Sequence, residues 1–231
     1  MVSIIVPVYN REHLIIPTLE SVLGQTFNDW VCYLIDDRST DNSEKIILDF
    51  IKRDQRFFFI KRPKNRNKGA STCRNIGLEQ VKTEYIQFLD SDDIISKNKL
   101  DDQIQLLNKA GEYDLAISKW GFFNSNYDLF SNLEVYKAFN SIPNFLNALT
   151  KSKGYLPIHS YLIPKKIINI SGGWNEHLTL NDDGEFITRV LVNCKKIHFA
   201  NEAIAWYRRP TASNLSNSFD TISFQKAIHS L

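Results

Sequence analysis

The first half of the chain alternates short apolar runs with segments in which apolar residues recur at helical spacing. Four runs have the length and the β-branched or aromatic content of buried strands; they are 2–8, 31–36, 57–61 and 85–89. Four segments place apolar residues on one helical face; they are 13–25, 44–51, 71–81 and 100–107. This alternation predicts an α/β fold with a mainly parallel central sheet covered by helices on both faces.

The second half has a less regular pattern. Strands are predicted at 115–123 and 156–164, and the Asn- and Ser-rich stretch 124–144 between them is predicted to form loops. A turn at 171–178 precedes a predicted helix at 183–194. The last residues, 221–231, have the pattern of a helix that continues beyond the chain.

Three polar clusters follow predicted strands, at Asn10, at Asp36 and Asp37, and at 90–93. In open parallel sheets, ligands bind outside the carboxyl ends of the strands. The clusters are distant in sequence, but we expect them to meet at one edge of the sheet.

The acidic cluster 90–93 is the strongest candidate for chemistry. Carboxylates this close raise each other's pKa unless a cation neutralises them. Asp90 and Asp92 are separated by one residue, so both can face one hard cation such as Mg²⁺ or Mn²⁺. The alternative is a solvated acidic turn before the next helix, and Asp93 fits that role. The spacing is not that of an EF-hand, which needs a Gly at position 6 and a Glu at position 12.

The other acids each have a functional and a structural interpretation. Asp36 and Asp37 could accept hydrogen bonds from a nucleobase or ribose, or from nearby backbone N–H groups. Asp41 with Glu44, and Asp182 with Glu185, have the spacing of helix capping boxes. Asp183 then falls in a first helical turn, where the helix dipole favours a carboxylate and where a general base could also stand.

Composition narrows the function classes. The chain has 231 residues, 28 basic and 26 acidic residues and a net charge of +2, which argues against a nucleic-acid binder. The basic stretch 61–68 is either a solvated loop or a rim that attracts an anionic substrate. No phosphate-binding glycine motif and no GxSxG elbow occurs.

Three scattered cysteines without CxxC spacing indicate neither a zinc site nor a disulfide framework. They are typical of a reducing cytosol. No stretch reaches the roughly 18 apolar residues of a membrane span, so we expect a soluble protein, which the cysteine usage places in the cytoplasm.

Seven stretches, in the same order along the chain, resemble the family 2 glycosyltransferases, which have the GT-A fold. They are VSIIVPVYN (2–10), SVLGQTF (21–27), LIDDRSTDNS (34–43), NKGASTCRNIG (67–77), YIQFLDSDD (85–93), SGGWNEHL (171–178) and LNDDGEF (180–186). One such stretch would be weakly specific, whereas seven in order make the resemblance strong.

The resemblance implies roles for individual residues. Asp90 and Asp92 resemble the family's DxD motif and would hold Mn²⁺ or Mg²⁺, and Asp183 falls where the family keeps its catalytic base. Trp174 stands where the family often has an aromatic residue facing the acceptor. The residues implied to bind the donor are Pro7, Tyr9, Asp36, Asp37, Lys68, Arg74, Asp90 and Asp92.

The chain departs from the family pattern at three positions, where Arg38, Asn175 and Asp182 replace a Gly, an Asp and a Glu. The late stretch 206–216 only partly resembles the family's Tyr-Arg-x-His segment because it lacks the His. Arg208 and Arg209 are therefore either diphosphate contacts or residues of an ordinary basic surface loop.

The implied function is an inverting, metal-dependent glycosyltransferase. Residues 1–115 would form the half that binds the nucleotide-diphosphate-sugar, a UDP-sugar, and residues 116–231 the acceptor-binding half. The acceptor would be a glycan or lipid-linked hydroxyl in polysaccharide biosynthesis, with peripheral contact to the inner face of a membrane. Two alternatives are a metal-dependent phosphohydrolase and a non-catalytic domain that binds a nucleotide-sugar.

Overall fold

A computed structural model of the chain describes residues 1–152 and 154–209. The strands are β1 Val2–Val8, β2 Trp30–Asp36, β3 Phe57–Lys61, β4 Tyr85–Phe88, β5 Ile94–Ile95, β6 Asp114–Phe123, β7 Tyr127–Leu129, β8 Tyr161–Pro164 and β9 Lys196–Arg208. The helices are α1 Ile15–Leu23, α2 Ser43–Phe50, α3 Ala70–Gln80, α4 Lys99–Leu107, α5 Ile142–Lys151, α6 Lys165–Ser171 and α7 Asp182–Val192. The helix expected at 221–231 lies outside the described residues. Within the described part of the chain, no helix is long and apolar enough to cross a bilayer.

One sheet runs through the described structure in the order β3-β2-β1-β4-β8-β6-β9-β5, and β7 pairs with β6. The four strands β3, β2, β1 and β4 are parallel, as predicted. Val8 lies opposite Asp36, and Ile5 lies opposite Phe88. The carboxyl ends of β1, β2 and β4 are therefore in register, so the three polar clusters meet at one edge.

The second half adds a mixed part to the sheet. Strand β8 pairs antiparallel with both β4 and β6, and β9 runs parallel to β6. The long β9 strand ends at Arg208, and its residue Trp206 lies opposite Ile94. This pairing brings the end of β9 next to the loop at 90–93.

The core lies on both faces of the sheet because side chains alternate along each strand. In β1, Ile4 and Val6 pack into one hydrophobic cluster, and Ile5 packs into the other. The buried Lys99 is an exception to the apolar core. Its Nζ donates to Gln87 Oε1 at 2.5 Å and Gln103 Oε1 at 2.6 Å, and burial holds the pKa of Lys99 well below its usual value.

The predicted capping boxes are wrong. The carboxylate of Asp41 does accept from the Ser43 N–H at 2.9 Å, but Glu44 pairs with Lys61 instead of reaching back. At α7 the cap position is Asn181, and Glu185 pairs with Arg189. Glu44 has its salt-bridge partner on β3, and Glu185 has its partner one turn further along α7, so neither carboxylate reaches back to the cap.

Several elements differ from the sequence expectation. The run 156–164 contains a 3₁₀ turn before the short strand β8. The predicted loop region 124–144 contains β7 and the start of α5, and β9 was not predicted. Asn201 and Glu202 interrupt its apolar pattern, at the point where its pairing with β6 shifts from Ala200 to Ile204.

Helix α3 lies close against β1 at Gly77. A Cβ added there would stand 2.5 Å from Cγ2 of the buried Ile5. Because Ile5 is β-branched and restricted at χ1, its side chain cannot move aside easily. The absence of a side chain at position 77 therefore sets the distance between α3 and the sheet.

We expect Gly77→Ala to destabilise the fold by about 1–3 kcal/mol through overpacking, although Ala is the better helix former by about 1 kcal/mol. Urea unfolding would measure the change. Gln80→Ala, at an exposed position of the same helix, is the control and should lie within about 0.5 kcal/mol of the parent. A stabilised Gly77→Ala protein would contradict the close approach.

Candidate functional site

Five segments meet at the carboxyl edge of the parallel strands. They are the loops after β1, β2 and β4, helix α3 and the first turn of α7. We name two further segments: the basic loop (62–69), which connects β3 to α3, and the Gly-Trp loop (172–178), which follows α6. The contacts between these segments define the site.

Asp36 and Asp37 both have partners within the chain. The carboxylate of the buried Asp36 accepts from the Ser39 N–H at 3.1 Å. Asp37 is 4 % exposed and accepts from the Arg62 guanidinium and from the Gly69 N–H, the latter at 2.9 Å. Both carboxylates therefore order loops at the edge, whereas contact with a base or ribose stays a prediction.

Arg38 adopts a left-handed backbone with φ of +61°. A glycine adopts this conformation at no steric cost, which explains why the family pattern has Gly there. The Arg38 side chain donates to the Arg62 carbonyl at 3.2 Å. The substitution thus keeps the turn and adds a hydrogen bond to the basic loop.

Tyr9 and Lys68 lie at the rim of this edge, and Pro7 is buried just inside it. Pro7 is in β1 opposite Ile35, and Tyr9 follows the strand with 37 % of its surface exposed. The Lys68 Nζ stands 4.0 Å above the Tyr9 ring, at cation–π distance. The rim presents an aromatic face and a cation beside the two buried aspartates.

The loop at 90–93 is held by cations on three sides. Asp90 Oδ1 accepts from Arg74 at 2.8 Å, and Arg11 Nε lies 3.5 Å from Asp92 Oδ2. Arg208 donates from its side chain to the Asp92 carbonyl at 2.7 Å and from its N–H to Asp93 at 2.8 Å. Burial raises the pKa of Asp92, Arg11 opposes the rise, and Asp90 adds to it.

Asp93 closes this loop as a turn residue, since its N–H donates to the Asp90 carbonyl at 3.1 Å. The Asp93 carboxylate accepts from the Arg208 N–H through Oδ1, and its Oδ2 lies 3.2 Å from Nδ1 of the buried His159. Burial lowers the pKa of His159 to about 4, so the ring is neutral near pH 7 and this contact is not a salt bridge. Asp93 and His159 therefore support the loop from below.

The residues present fit a divalent metal. Within the described residues, no group of three or more His, Cys, Asp and Glu side chains has the arrangement of a metal site. Asp90 and Asp92 nevertheless supply two carboxylates, and Mg²⁺-type sites commonly use one or two carboxylates completed by waters and substrate phosphates. A cation there would also offset the burial and the repulsion by Asp90 that together raise the pKa of Asp92.

Arg74 joins the loop at 90–93, which we call the metal loop after its two candidate carboxylate ligands, to α7. Its guanidinium donates to Asp90 Oδ1 at 2.8 Å and to Asp182 Oδ2 at 2.9 Å, and it lies 3.5 Å from Asp183 Oδ1. Burial alone would lower the pKa of Arg74, but the three carboxylates raise it above its usual value. Arg74 is thus a permanent cation shared by three acids.

Asp183 combines a buried and an exposed oxygen. Its side chain is 42 % exposed, yet Oδ1 is buried against Arg74 and accepts no hydrogen bond. Burial raises the pKa of Asp183 to about 7; Arg74 opposes this, while Asp90 and Asp182 add to it. A carboxylate that titrates near neutral pH at a cleft can act as a general base.

Trp174 packs beneath this cluster. One face stacks on Phe186 with centroids 4.2 Å apart, and the Arg74 guanidinium carbon lies 4.2 Å from the Trp174 ring centroid. The residue is 4 % exposed. The structure therefore gives Trp174 a supporting position under Arg74, and the predicted contact with an acceptor stays a prediction.

The Gly-Trp loop is fixed by a side chain of α3. Asn75 Nδ2 donates to the Trp174 carbonyl at 2.9 Å, and the Trp174 N–H donates to Asn75 Oδ1 at 2.7 Å. A Cβ at Gly173 would stand 2.6 Å from that same Asn75 oxygen. The second glycine of the pair is thus needed for the close approach of Asn75.

Several residues of the site carry no local sequence signal. Arg62, Asn75 and Glu176 make their contacts across 25 to 110 residues of sequence, and charge counting could not find those partners. The basic stretch was expected to be a solvated loop or an anion-attracting rim. Arg62 and Arg66 instead bind acids of this chain. Lys64 and Lys68 are exposed, so the interpretation as a rim that attracts an anion applies to these two lysines.

Arg208 and Arg209 have different partners. Arg208 holds the metal loop, as described above, and Arg209 pairs with Asp128 at 2.6 Å. Contact of either with a diphosphate stays a prediction. Residues 210–216 of the late stretch lie outside the described residues.

Comparison with known proteins gives the same result as the motifs. The family model described as "Glycosyl transferase family 2" matches residues 3–212. Over 139 residues the chain is 38 % identical to the Escherichia coli protein UDP-Glc:alpha-D-GlcNAc-diphosphoundecaprenol beta-1,3-glucosyltransferase WfgD, covering 60 % of this chain and 50 % of WfgD. The chain thus spans about half the length of that relative.

Solved structures confirm the GT-A fold. Staphylococcus aureus TarS 1-349, in complex with UDP-GlcNAc, superposes with a TM-score of 0.77 at 20 % identity, covering 99 % of this chain and 65 % of that one. The Pyrobaculum calidifontis mannosyltransferase PcManGT, in complex with GDP-Man and Mn²⁺, gives a TM-score of 0.67 at 15 % identity, covering 92 % and 58 %.

Proposed function

Because this chain belongs to glycosyl transferase family 2, we propose that it moves a sugar from a UDP-sugar to an acceptor hydroxyl in a metal-dependent reaction that inverts the anomeric carbon. The convergence of Asp90 and Asp183 on Arg74, with Asp92 two residues from Asp90 in the same loop, carries the proposal. This arrangement places two carboxylates that could bind a metal ion next to a carboxylate of raised pKa, at one edge of the sheet.

The donor would lie along the carboxyl edge of β1, β2 and β4. Tyr9 and Pro7 would face the base, with Asp36 and Asp37 beside it and Lys68 near the nucleotide. WfgD, a relative in sequence, has UDP-Glc in its name, and TarS, a relative in fold, was solved in complex with UDP-GlcNAc. Both support UDP as the nucleotide. The basic rim would attract the negatively charged donor.

Asp90 and Asp92 would hold Mn²⁺ or Mg²⁺ against the donor diphosphate. The Mn²⁺ in the PcManGT structure and the two oxygen-donor side chains here support this assignment. Such a cation supplies neutralisation of the charge that develops on the leaving nucleoside diphosphate. Arg74 and Arg11, as fixed cations beside the same carboxylates, would hold them in place.

Asp183 would accept the proton of the acceptor hydroxyl as that oxygen attacks the anomeric carbon from the face opposite the nucleotide. An uncharged hydroxyl is a weak nucleophile, so removal of its proton in the transition state lowers the barrier. One displacement inverts the configuration. Trp174 would contribute by holding Arg74 from below, next to the acceptor.

The acceptor is proposed to be a glycan or lipid-linked hydroxyl in polysaccharide assembly. The name of WfgD, which specifies a sugar on diphosphoundecaprenol, supports a lipid-linked acceptor. A cytoplasmic protein with peripheral contact to the inner face of a membrane would meet such a molecule.

We expect UDP to raise the melting temperature only when Mn²⁺ is present. A ligand at 100 times its Kd stabilises the native state by about 2.7 kcal/mol, which is several degrees at about 2–4 °C per kcal/mol for a chain of this size. Thermal unfolding with UDP or GDP, each with and without Mn²⁺, measures the shift. Asp92→Asn should abolish the metal-dependent part.

Asp49→Asn is the matched control, because Asp49 is an exposed acid of α2 that pairs with Lys52. It should keep the full shift with UDP and Mn²⁺. If neither nucleotide shifts the parent protein under any condition, the proposed donor site is wrong.

Asp183→Asn should lower the transfer rate by about 10²–10⁴ while UDP binding with Mn²⁺ is retained, because the base acts on the acceptor and not on the nucleotide. Rates of UDP release with an accepted sugar donor and acceptor would measure the first effect, and thermal shift the second. Unchanged turnover would remove Asp183 from the reaction. Release of inorganic phosphate in place of UDP would instead indicate a phosphohydrolase.

The transfer rate should fall as pH is lowered through the pKa of Asp183. This pKa is raised to about 7, so below that value the carboxyl is protonated and cannot accept a proton. A cation on Asp90 and Asp92 favours the charged form, which moves the acidic limb below about 7. A pH–rate profile that stays flat down to about 4, the ordinary range of Asp, would contradict a base of raised pKa.

A further inference from the structure

The basic loop is held from two sides by charged side chains. At the carboxyl end of β2, the Arg62 guanidinium binds Asp37 and also donates to the Arg66 carbonyl at 2.6 Å. Gly69, at the other end of the loop, donates its N–H to the same Asp37 at 2.9 Å. The position of Arg66 is therefore set by Asp37 through a single buried arginine.

The Arg66 guanidinium extends from this loop toward the Gly-Trp loop. Its Nη2 donates to Glu176 Oε1 at 2.9 Å, and its Nη1 donates to Glu79 Oε1 at 2.8 Å. Glu176 is 19 % exposed at its side chain, whereas Glu79 is 53 % exposed. Of the two salt bridges that Arg66 makes, the one to Glu176 is therefore the better shielded from solvent.

Glu176 lies in the Gly-Trp loop and also bonds to α3. It accepts from Thr72 Oγ1 at 3.0 Å and from Asn75 Nδ2 at 2.8 Å. That same Asn75 side chain makes the paired hydrogen bonds to the Trp174 backbone. Arg66 and the backbone of Trp174 are thus linked through two side chains.

Burial alone would raise the pKa of Glu176, but hydrogen bonds from Asn75, Arg66 and Thr72 more than offset this and lower it. Glu176 is therefore charged near pH 7, and Arg66 is its cationic partner. The pair joins the loop anchored at the nucleotide edge to the loop that carries Trp174.

We propose that the Arg66–Glu176 ion pair couples nucleotide binding at the sheet edge to the order of the Gly-Trp loop. Both are positioning residues: neither is proposed to touch the reacting atoms. The inference rests on the proposed function, because it assumes that a nucleotide binds beside Asp37. Ordering of the basic loop by the nucleotide would fix Arg66, and Arg66 would then hold the Gly-Trp loop for the acceptor.

A competing route runs from the metal loop through Arg74 to the Trp174 ring. The two routes give different results when the ion pair is removed. Coupling through Arg66 disappears in Glu176→Gln, whereas coupling through Arg74 persists.

Hydrogen–deuterium exchange of the chain, with and without UDP and Mn²⁺, tests the proposal. In the parent protein the nucleotide should slow amide exchange in both the basic loop and the Gly-Trp loop, the latter by about fivefold or more, the lower end of usual coupling factors. In Glu176→Gln the basic loop should still respond, and the response of the Gly-Trp loop should fall to near onefold. Arg66→Gln should do the same while leaving the bonds from Thr72 and Asn75 to Glu176 intact.

Glu79→Gln is the matched control, because it removes the other salt bridge of Arg66, the one to Glu79. It should keep the parent response in both loops. A Gly-Trp loop that responds as strongly in Glu176→Gln and Arg66→Gln as in the parent would overturn the proposal and favour the Arg74 route. A parent Gly-Trp loop that does not respond, while the basic loop does, would overturn it as well.

Failure of the proposed function has a different signature. In that case neither loop of the parent protein responds to UDP or GDP with Mn²⁺, and the melting temperature does not shift. In that case both the proposed coupling and the proposed donor site are wrong. If the nucleotide slows exchange in the basic loop alone, only the proposed coupling is wrong and the proposed donor site stands.

Discussion

The buried charge of Arg74 is the interaction on which the site depends. Three carboxylates from two distant parts of the chain lie within 3.5 Å of its guanidinium. Without a cation at that position, Asp90, Asp182 and Asp183 would repel one another and could not stay together at the end of a buried sheet. The fixed guanidinium, with five donors in one plane, satisfies this requirement better than a flexible ammonium group would.

The same principle recurs around the site. Arg62 holds Asp37, Arg11 approaches Asp92, and Arg208 binds the backbone of the metal loop. Each arginine comes from a different segment, so the acids at the sheet edge are neutralised by the parts of the chain that surround them. A net charge of +2 conceals this pairing, because it reports the balance and not the arrangement.

The parallel half of the fold could be predicted from the sequence because its signals are local. Strand β1 reads as a continuous apolar run, and α1 and α2 show their apolar faces within ten residues. The edge at which Asp36 and Asp90 meet follows from parallel pairing alone. The motif order also indicated the family, which needs no knowledge of contacts.

The rest depended on partners that are distant in sequence. Asp182 has the spacing of a capping residue, but Ser71 and Arg74 bind its carboxylate. Trp174 was expected to face an acceptor, and nothing near it in sequence shows that Phe186 and Arg74 cover its two faces. Strand β9 was missed because the residues skipped between Ala200 and Ile204 interrupt its pattern.

Helix α3 limits which changes of sequence the site could tolerate. Adjacent residues of this helix serve different loops: Arg74 binds the acids, and Asn75 holds the backbone at Trp174. Inserting one residue before them would rotate both by about 100°, since an α-helix has 3.6 residues per turn, and would misplace both sets of contacts together. Changes that aim at a new sugar or acceptor should therefore leave the length of α3 and the residues before Arg74 intact.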